Sequence, residues 1–192
     1  DRTTIQFRRL NASKGQAVRS SRAQCDKARY ALEMQKTLKN TPNLEIFSGE
    51  VRSLLVRGGR VSGVELADGS RLECGAVVIT AGTFMAAVMH MGEEQREGGR
   101  AGDGASLGLS EELRRLGHRT RRLKTGTPPR LHRLSIDYGQ TTPQPGDPRW
   151  APFSAQYQGV GAPPLPQLSC FIAYTNAQGH EIIRKNLFRS PM

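Results

Sequence analysis

Two glycine steps, Arg57-Gly-Gly-Arg60 and Asp68-Gly69, constrain this chain more than any other feature. Tight hairpin turns need positive backbone φ, which Gly-Gly and Asp-Gly supply without steric cost. Here they separate three short runs, Glu50–Val56, Val61–Leu66 and Arg71–Cys74, which predicts a three-stranded antiparallel meander. A short apolar run, Leu44–Phe47, precedes it and reads as a strand. After it, Ala76–Thr80 is apolar on both faces, the pattern of a strand inside a parallel sheet covered by helices. Upstream, Ala23, Ala28, Ala31, Leu32, Met34 and Leu38 have rough helical spacing. That predicts a helix capped by Ser20 or Ser21, with Asp26 in its early turns, stopped by Thr41-Pro42. Helix, strand, meander and buried strand in this order predict an α/β fold with a parallel sheet.

Other segments are less regular. Asn11-Ala-Ser-Lys-Gly15 reads as a turn. Thr80-Ala-Gly-Thr83 puts small residues at the end of the predicted buried strand, where a ligand or another backbone can come close. Gly98-Gly-Arg-Ala-Gly-Asp103 reads as a mobile loop; it could form an anion nest with Arg100 adding charge, but taken by itself a bare surface loop is the favoured reading. Ser106 or Ser110 is expected to cap a short helix through Leu116, closed by Gly117. Residues 139–167 hold seven prolines and predict a long loop or linker. Cys170–Tyr174 suggests a strand and Asn176–Phe188 a helix.

Charge narrows the possible partners. Lys and Arg number 28 against 17 Asp and Glu, a formal net charge of +11. That excess suits nucleic acid, an anionic membrane surface or a phosphate-rich ligand. Between Leu113 and Ile136 there is no acid at all. The window instead holds Arg114, Arg115, Arg119, Arg121, Arg122, Lys124, Arg130 and Arg133, with His118 and His132. Such a run, stiffened by Pro128-Pro129, predicts phosphate contact rather than a merely solvated face. A second basic cluster, Lys14, Arg19 and Arg22, fits either a phosphate contact or a solvated arm. No apolar run approaches the ~20 residues of a membrane span, so no membrane association is expected. Cys25, Cys74 and Cys170 form no C-x-x-C pair, and the four histidines have no ligand spacing, so no metal site is expected. Three free thiols suit a reducing compartment.

The order of elements resembles the middle of a flavoprotein domain of the two-dinucleotide type. There the strand before the meander contacts the adenine and the turn after the buried strand approaches the cofactor. In this sequence those are Val51 and Thr80-Ala81-Gly82; an ordinary core strand and turn would read the same way. The Gly-x-Gly-x-x-Gly phosphate loop is absent and is expected upstream of Asp1.

A more specific resemblance runs the length of the chain. Ile5-Gln-Phe-Arg8, Leu10-Asn-Ala-Ser-Lys-Gly15, Ala17-Val-Arg19, Arg22-Ala-Gln24, Asp26, Val77-Val-Ile-Thr80, Gly82-Thr-Phe84, Gly98–Asp103, Arg122-Leu-Lys-Thr-Gly-Thr-Pro-Pro-Arg130, Tyr174-Thr-Asn176 and Arg189-Ser-Pro-Met192 resemble, in order, the GidA/MnmG family of tRNA wobble-uridine modification enzymes. The resemblance implies an FAD-binding domain of glutathione-reductase type with an inserted α+β domain. Residues 1–127 would be the central part of the first and 128–192 the start of the second. It implies a cytoplasmic enzyme that acts with the GTPase MnmE. Together they place a carboxymethylaminomethyl group on C5 of the wobble uridine, using FAD, NADH and methylenetetrahydrofolate, and the whole protein would form a homodimer.

It also implies that Val51, Ala81, Gly82 and Ser106 face FAD. Arg100, Arg119, Arg122, Lys124 and Arg130 would hold tRNA phosphates or folate carboxylates. No catalytic residue is assigned: the family's cysteines fall outside this stretch, as do its nicotinamide segment, expected after Met192, and its helical C-terminal domain. The stretch alone is expected to be inactive and to bind FAD weakly or not at all. Two other readings are a folate- and FAD-dependent tRNA uridine-5-methyltransferase and a non-catalytic RNA-binding module.

Overall fold

A computed structural model describes residues 1–155, 157 and 163–190. Gln156 and residues 158–162, in the proline-rich stretch, and Pro191 and Met192, which close the last matching motif, lie outside the described residues. In chain order the elements are β1 (Thr4–Leu10), β2 (Ser20–Cys25), α1 (Lys27–Lys39), β3 (Val51–Arg57), β4 (Arg60–Leu66), β5 (Arg71–Glu73), β6 (Val88–Met91), β7 (Glu94–Glu97), α2 (Leu109–Arg115), β8 (Thr142–Gln144), β9 (Cys170–Ile172) and α3 (Ala177–Lys185). They group into two compact units, one of residues 1–46 and 129–180, the other of residues 47–128 and 181–192. The cut after Ile46 was not expected, and the last falls inside α3.

In the first unit β1 and β2 form an antiparallel hairpin, with Phe7 opposite Ala23. This corrects the expected start of the helix, because Ser20–Cys25 bond to β1 across the sheet. Helical periodicity there was a weak local signal overridden by a non-local ladder. The helix begins instead at Lys27, capped by Asp26, whose carboxylate accepts the Arg29 N–H at 3.0 Å. It ends at Asn40, ahead of Thr41-Pro42 as expected. β8 and β9 pair antiparallel, Gln144 opposite Cys170, so the proline-rich stretch contains one short ladder. The fully buried Gln6 ties this ladder to β1: its Nε2 donates to the carbonyls of Gln144 and Leu168 at 3.0 and 3.1 Å. Phe7, also buried, packs edge-on against Phe153.

In the second unit the meander forms as read. β3, β4 and β5 are consecutive antiparallel strands. Gly58 and Gly59 take φ of 58° and 75°, and Gly69 takes 85°, so both turns use the positive φ that singled them out. Asp68 stiffens the second turn by accepting from Ser70 N and Oγ at 2.9 and 2.6 Å. These bonds hold its carboxyl below the ordinary range. α2 packs on β3 through Leu109, which is buried with Val64. Gly117, φ 89°, ends α2: His118 N–H bonds to Leu113 O and Gly117 N–H to Arg114 O, both at 2.9 Å. That double closure is the Schellman arrangement. The start of α2 differs from expectation: its N-cap is Gly108, not Ser106 or Ser110, and no side chain caps it.

Two expected strands are absent. Leu44–Phe47 and Ala76–Thr80 carry no ladder, and Val78 is 85 % exposed. Every named ladder among the described residues is antiparallel, so the expected parallel sheet is not formed here. The physical reason is simple. A strand exists only through a neighbour, and no described segment pairs with either run. The fold is therefore mixed α and β, with a small core. β6 and β7 form a further hairpin, turning at Gly92, φ 61°.

Candidate cofactor cavity and basic interface

The second unit contains a cavity of 540 Å³. Three segments build it. They are Val51 and Leu54 of β3 with Val64 of β4, then Val77–Ala81, then Phe84 and Gly104–Ser106 with Leu109 of α2. The apolar run 76–80 therefore lines a hollow instead of filling a sheet. A cavity this size, mostly apolar with a few polar groups at its edge, is of the kind that takes a flat ring of a ligand. Gly49, Ala81, Gly104 and Ala105 keep its lining low, while Glu50 and Ser106 supply the polar edge. The residues present thus fit an aromatic ring system such as an adenine.

Of the four residues expected to face a cofactor, Val51, Ala81 and Ser106 line this cavity together. Gly82 does not; it sits beside Ala81 in the following turn at φ 58°. The lining residues not foreseen include Gly49, Glu50, Leu54, Val64, Gly104, Ala105 and Leu109. Packing brings these together across some 60 positions of chain, and sequence spacing carries no trace of that. Phe84 stood in a recognised string, Gly82-Thr-Phe84, without a role.

The Gly-rich loop is bonded to the chain before it. Gly98 N–H bonds to Ala87 O at 3.0 Å, and Thr83 Oγ1 bonds to Gly99 O at 3.3 Å. A Cβ on Gly99 would lie 2.6 Å from the Phe84 ring, so this glycine is needed for close packing on the cavity wall. Arg100 is exposed and pairs within its own loop, with Nη2 2.6 Å from Asp103 Oδ2.

The basic window stands differently. Every residue from Gly117 to Ser135 is exposed. Among the described residues no carboxylate forms an ion pair with Arg119, Arg122, Lys124 or Arg130. Arg119, Arg122 and Lys124 belong to the same unit as the cavity, and Arg130 belongs to the other. Arg122 Nη2 donates to the carbonyl of Ala86 at 3.2 Å. Unpaired cations on extended, exposed backbone make a surface suited to a polyanion.

Other expected features can be placed. Cys25, Cys74 and Cys170 are free thiols. Among the described residues no group of three or more His, Cys, Asp or Glu is arranged to hold a metal, and no helix is long and apolar enough to cross a membrane. Lys14 and Arg19 are exposed, and Arg22 is half-buried on β2.

A family model described as glucose inhibited division protein A matches residues 1–192. The chain belongs to the GidA family. Relatives named tRNA uridine 5-carboxymethylaminomethyl modification enzyme MnmG include that of Myxococcus xanthus, 48 % identical over 197 residues and covering 100 % of this chain and 32 % of the relative. That of Protochlamydia amoebophila is 45 % identical over 192 residues, covering 100 % and 30 %. Among solved structures, Aquifex aeolicus GidA in one crystal form superposes with a TM-score of 0.86 at 42 % identity, covering 100 % of this chain and 32 % of the other. A second crystal form gives 0.85 at 43 %, covering 97 % and 32 %. The chain therefore spans about a third of the length of these relatives, and its fold is that of the corresponding stretch of Aquifex aeolicus GidA.

Proposed function

We propose that this chain is part of an FAD-dependent enzyme that modifies the wobble uridine of tRNA. In that reading it places a carboxymethylaminomethyl group on C5 of the uridine, in line with the names of its relatives, and does so together with the GTPase MnmE. The observation that carries the reading is the cavity: Val51, Ala81 and Ser106, chosen for cofactor contact, stand around one hollow in the unit that also carries Arg119, Arg122 and Lys124. NADH and methylenetetrahydrofolate belong to the whole protein in this reading, as do its homodimer and its cytoplasmic location. Residues 1–127 belong to the FAD-binding domain and 128–192 to the start of the inserted one.

Bound FAD would supply redox chemistry, hydride or one-carbon transfer. The residues of this chain do the holding. Val51, Leu54 and Val64 offer an apolar floor that excludes water from a ring face. Ala81 and Gly82, lacking bulk, let the cofactor approach the backbone. The Ser106 hydroxyl offers a polar partner at the rim. Arg119, Arg122, Lys124 and Arg130 hold tRNA phosphates or folate carboxylates, keeping the target base near the cofactor; unstacked loop bases are where proteins read RNA. Arg100, already paired with Asp103, joins them only by exchanging that partner.

The test is made on the full-length protein. Ala81→Leu intrudes into the cavity and is expected to lower flavin occupancy at least about tenfold, while its tRNA affinity stays within about twofold of that of the native protein stripped of flavin. Full flavin retention in Ala81→Leu, read from the visible absorbance of the purified protein, would remove the cavity from the cofactor site.

A further inference from the structure

Arg122, in the basic window, is linked through Ala86 to two residues that line the cavity. Its Nη2 donates to Ala86 O at 3.2 Å; Ala86 N–H donates to Ser106 O at 2.9 Å; Ser106 N–H donates to Phe84 O at 2.9 Å. Phe84 and Ser106 both line the cavity. Met85 and Ser106 are joined by an isolated parallel bridge, the only ladder support this wall has among the described residues. Ala86 itself takes φ 44°, a left-handed conformation that L side chains disfavour, and it is held there with both backbone polar groups engaged, one of them by Arg122.

We propose that Arg122 is a positioning residue that couples the basic window to the cavity, so that a polyanion on the window and a ligand in the cavity each favour the other's binding. This rests on the reading of the cavity as a flavin site and of the window as an RNA surface. A guanidinium carries five N–H donors in a rigid fork. One is used on Ala86, and the rest are exposed and unpaired with any carboxylate among the described residues. A phosphate can therefore bond the outer edge without removing the inner bond. The segments involved, 83–87 and 116–130, have no regular ladder or helix of their own, so ordering them costs conformational entropy. Whichever ligand arrives first orders the shared strut, and the second then meets a segment already fixed. Arg119 and Lys124 face the same polyanion but make no recorded bond to the wall, so they contribute charge without this link.

The experiment uses the full-length protein, stripped of flavin and titrated with FAD by fluorescence quenching, with and without saturating unmodified tRNA transcript. In the native sequence tRNA is expected to tighten FAD binding by about fivefold or more. In Arg122→Ala and Arg122→Gln the effect should fall below about twofold, while in Arg119→Ala it persists although tRNA binds more weakly. Equal FAD affinity with and without tRNA in the native protein, or undiminished coupling in both Arg122 variants, would overturn the proposal. A native protein that takes up no FAD at all would instead sink the flavin reading beneath it.

Discussion

Glu112 and Arg115 form a two-bond ion pair one turn apart on α2, with Nε 2.8 Å from Oε2 and Nη2 2.6 Å from Oε1. The pair is asymmetric: Glu112 is buried at 9 % exposure while the arginine reaches out from the surface. The Arg115 hydrogen bonds hold the carboxyl of Glu112 below the ordinary glutamate range against the opposing push of burial, helped by the Arg115 charge and the Leu54 N–H of β3. A carboxyl that binds protons less readily when folded stabilises the fold above its unfolded pKa, and that contribution fades as pH falls through the lowered value. Glu112→Gln is therefore expected to cost about 1 kcal/mol near neutrality. The difference should shrink steadily below about pH 4.5. Urea midpoints of both proteins measured across pH test this; curves that stay parallel down to pH 3 would contradict it.

Gly63 sits where β4 and β5 come closest. A Cβ there would lie 2.4 Å from the carbonyl oxygen of Leu72, a backbone atom that cannot swing aside. Gly63→Ala should therefore split β5 from the meander and cost about 2 kcal/mol or more. Gly75→Ala, with nothing within 4 Å, is the matched control and should be close to neutral. Amide exchange at Cys74, whose N–H bonds to Ser62 O at 3.1 Å, reports the loss directly.

The meander and the end of α2 were legible because each is decided by residues close in sequence: Gly58-Gly59, Asp68-Gly69 and Gly117 all take the positive φ that their type predicts. The start of α1 was misread because Ser20–Cys25 owe their conformation to β1, a partner that no local period reveals. Val77–Ile79 looked like a buried strand because apolar composition records a need for cover without recording what provides it. The same limit hid the cavity. Leu54, Phe84 and Leu109 meet only after α2 packs on β3. Gly98 and Gly99 looked mobile because sequence does not distinguish a glycine chosen for freedom from one chosen for a close approach, here to Phe84. The exposure of residues 117–135, by contrast, was signalled by composition, since that stretch holds no acid of its own to pair with its cations.

Gln6 is the polar hub of the first unit. Its amide donates to two carbonyls, Gln144 and Leu168, and its Oε1 accepts from Cys170 Sγ at 3.3 Å. Gln6→Leu roughly preserves volume but removes the donor from both part-buried bonds, and should cost about 1–2 kcal/mol. Exchange of the Leu168 N–H, which bonds to Ile5 O at 2.8 Å, should accelerate with it. Gln24→Leu, on the exposed side of the same thiol, should cost under about 1 kcal/mol. A cost as large as that of Gln6→Leu would mean that the thiol, rather than the two carbonyls, is the anchor.

Lys124 is exposed, lies at the centre of the basic window and has no ion-pair partner among the described residues. If it meets a phosphate, each such contact releases condensed counterions and adds about 0.7 to 0.9 to the slope of log affinity against log salt. Lys124→Glu in the full-length protein should weaken tRNA binding about tenfold or more at low salt, since it both removes a contact and adds repulsion. The slope should fall by about one unit, and the gap between the two proteins should narrow as salt rises. Glu111→Lys, at an exposed acid on α2 just outside the window, is the counterpart: added positive charge there should leave the slope within about half a unit of the native value unless the phosphate path extends over α2. Unchanged affinity and slope in Lys124→Glu would place the RNA elsewhere on the protein.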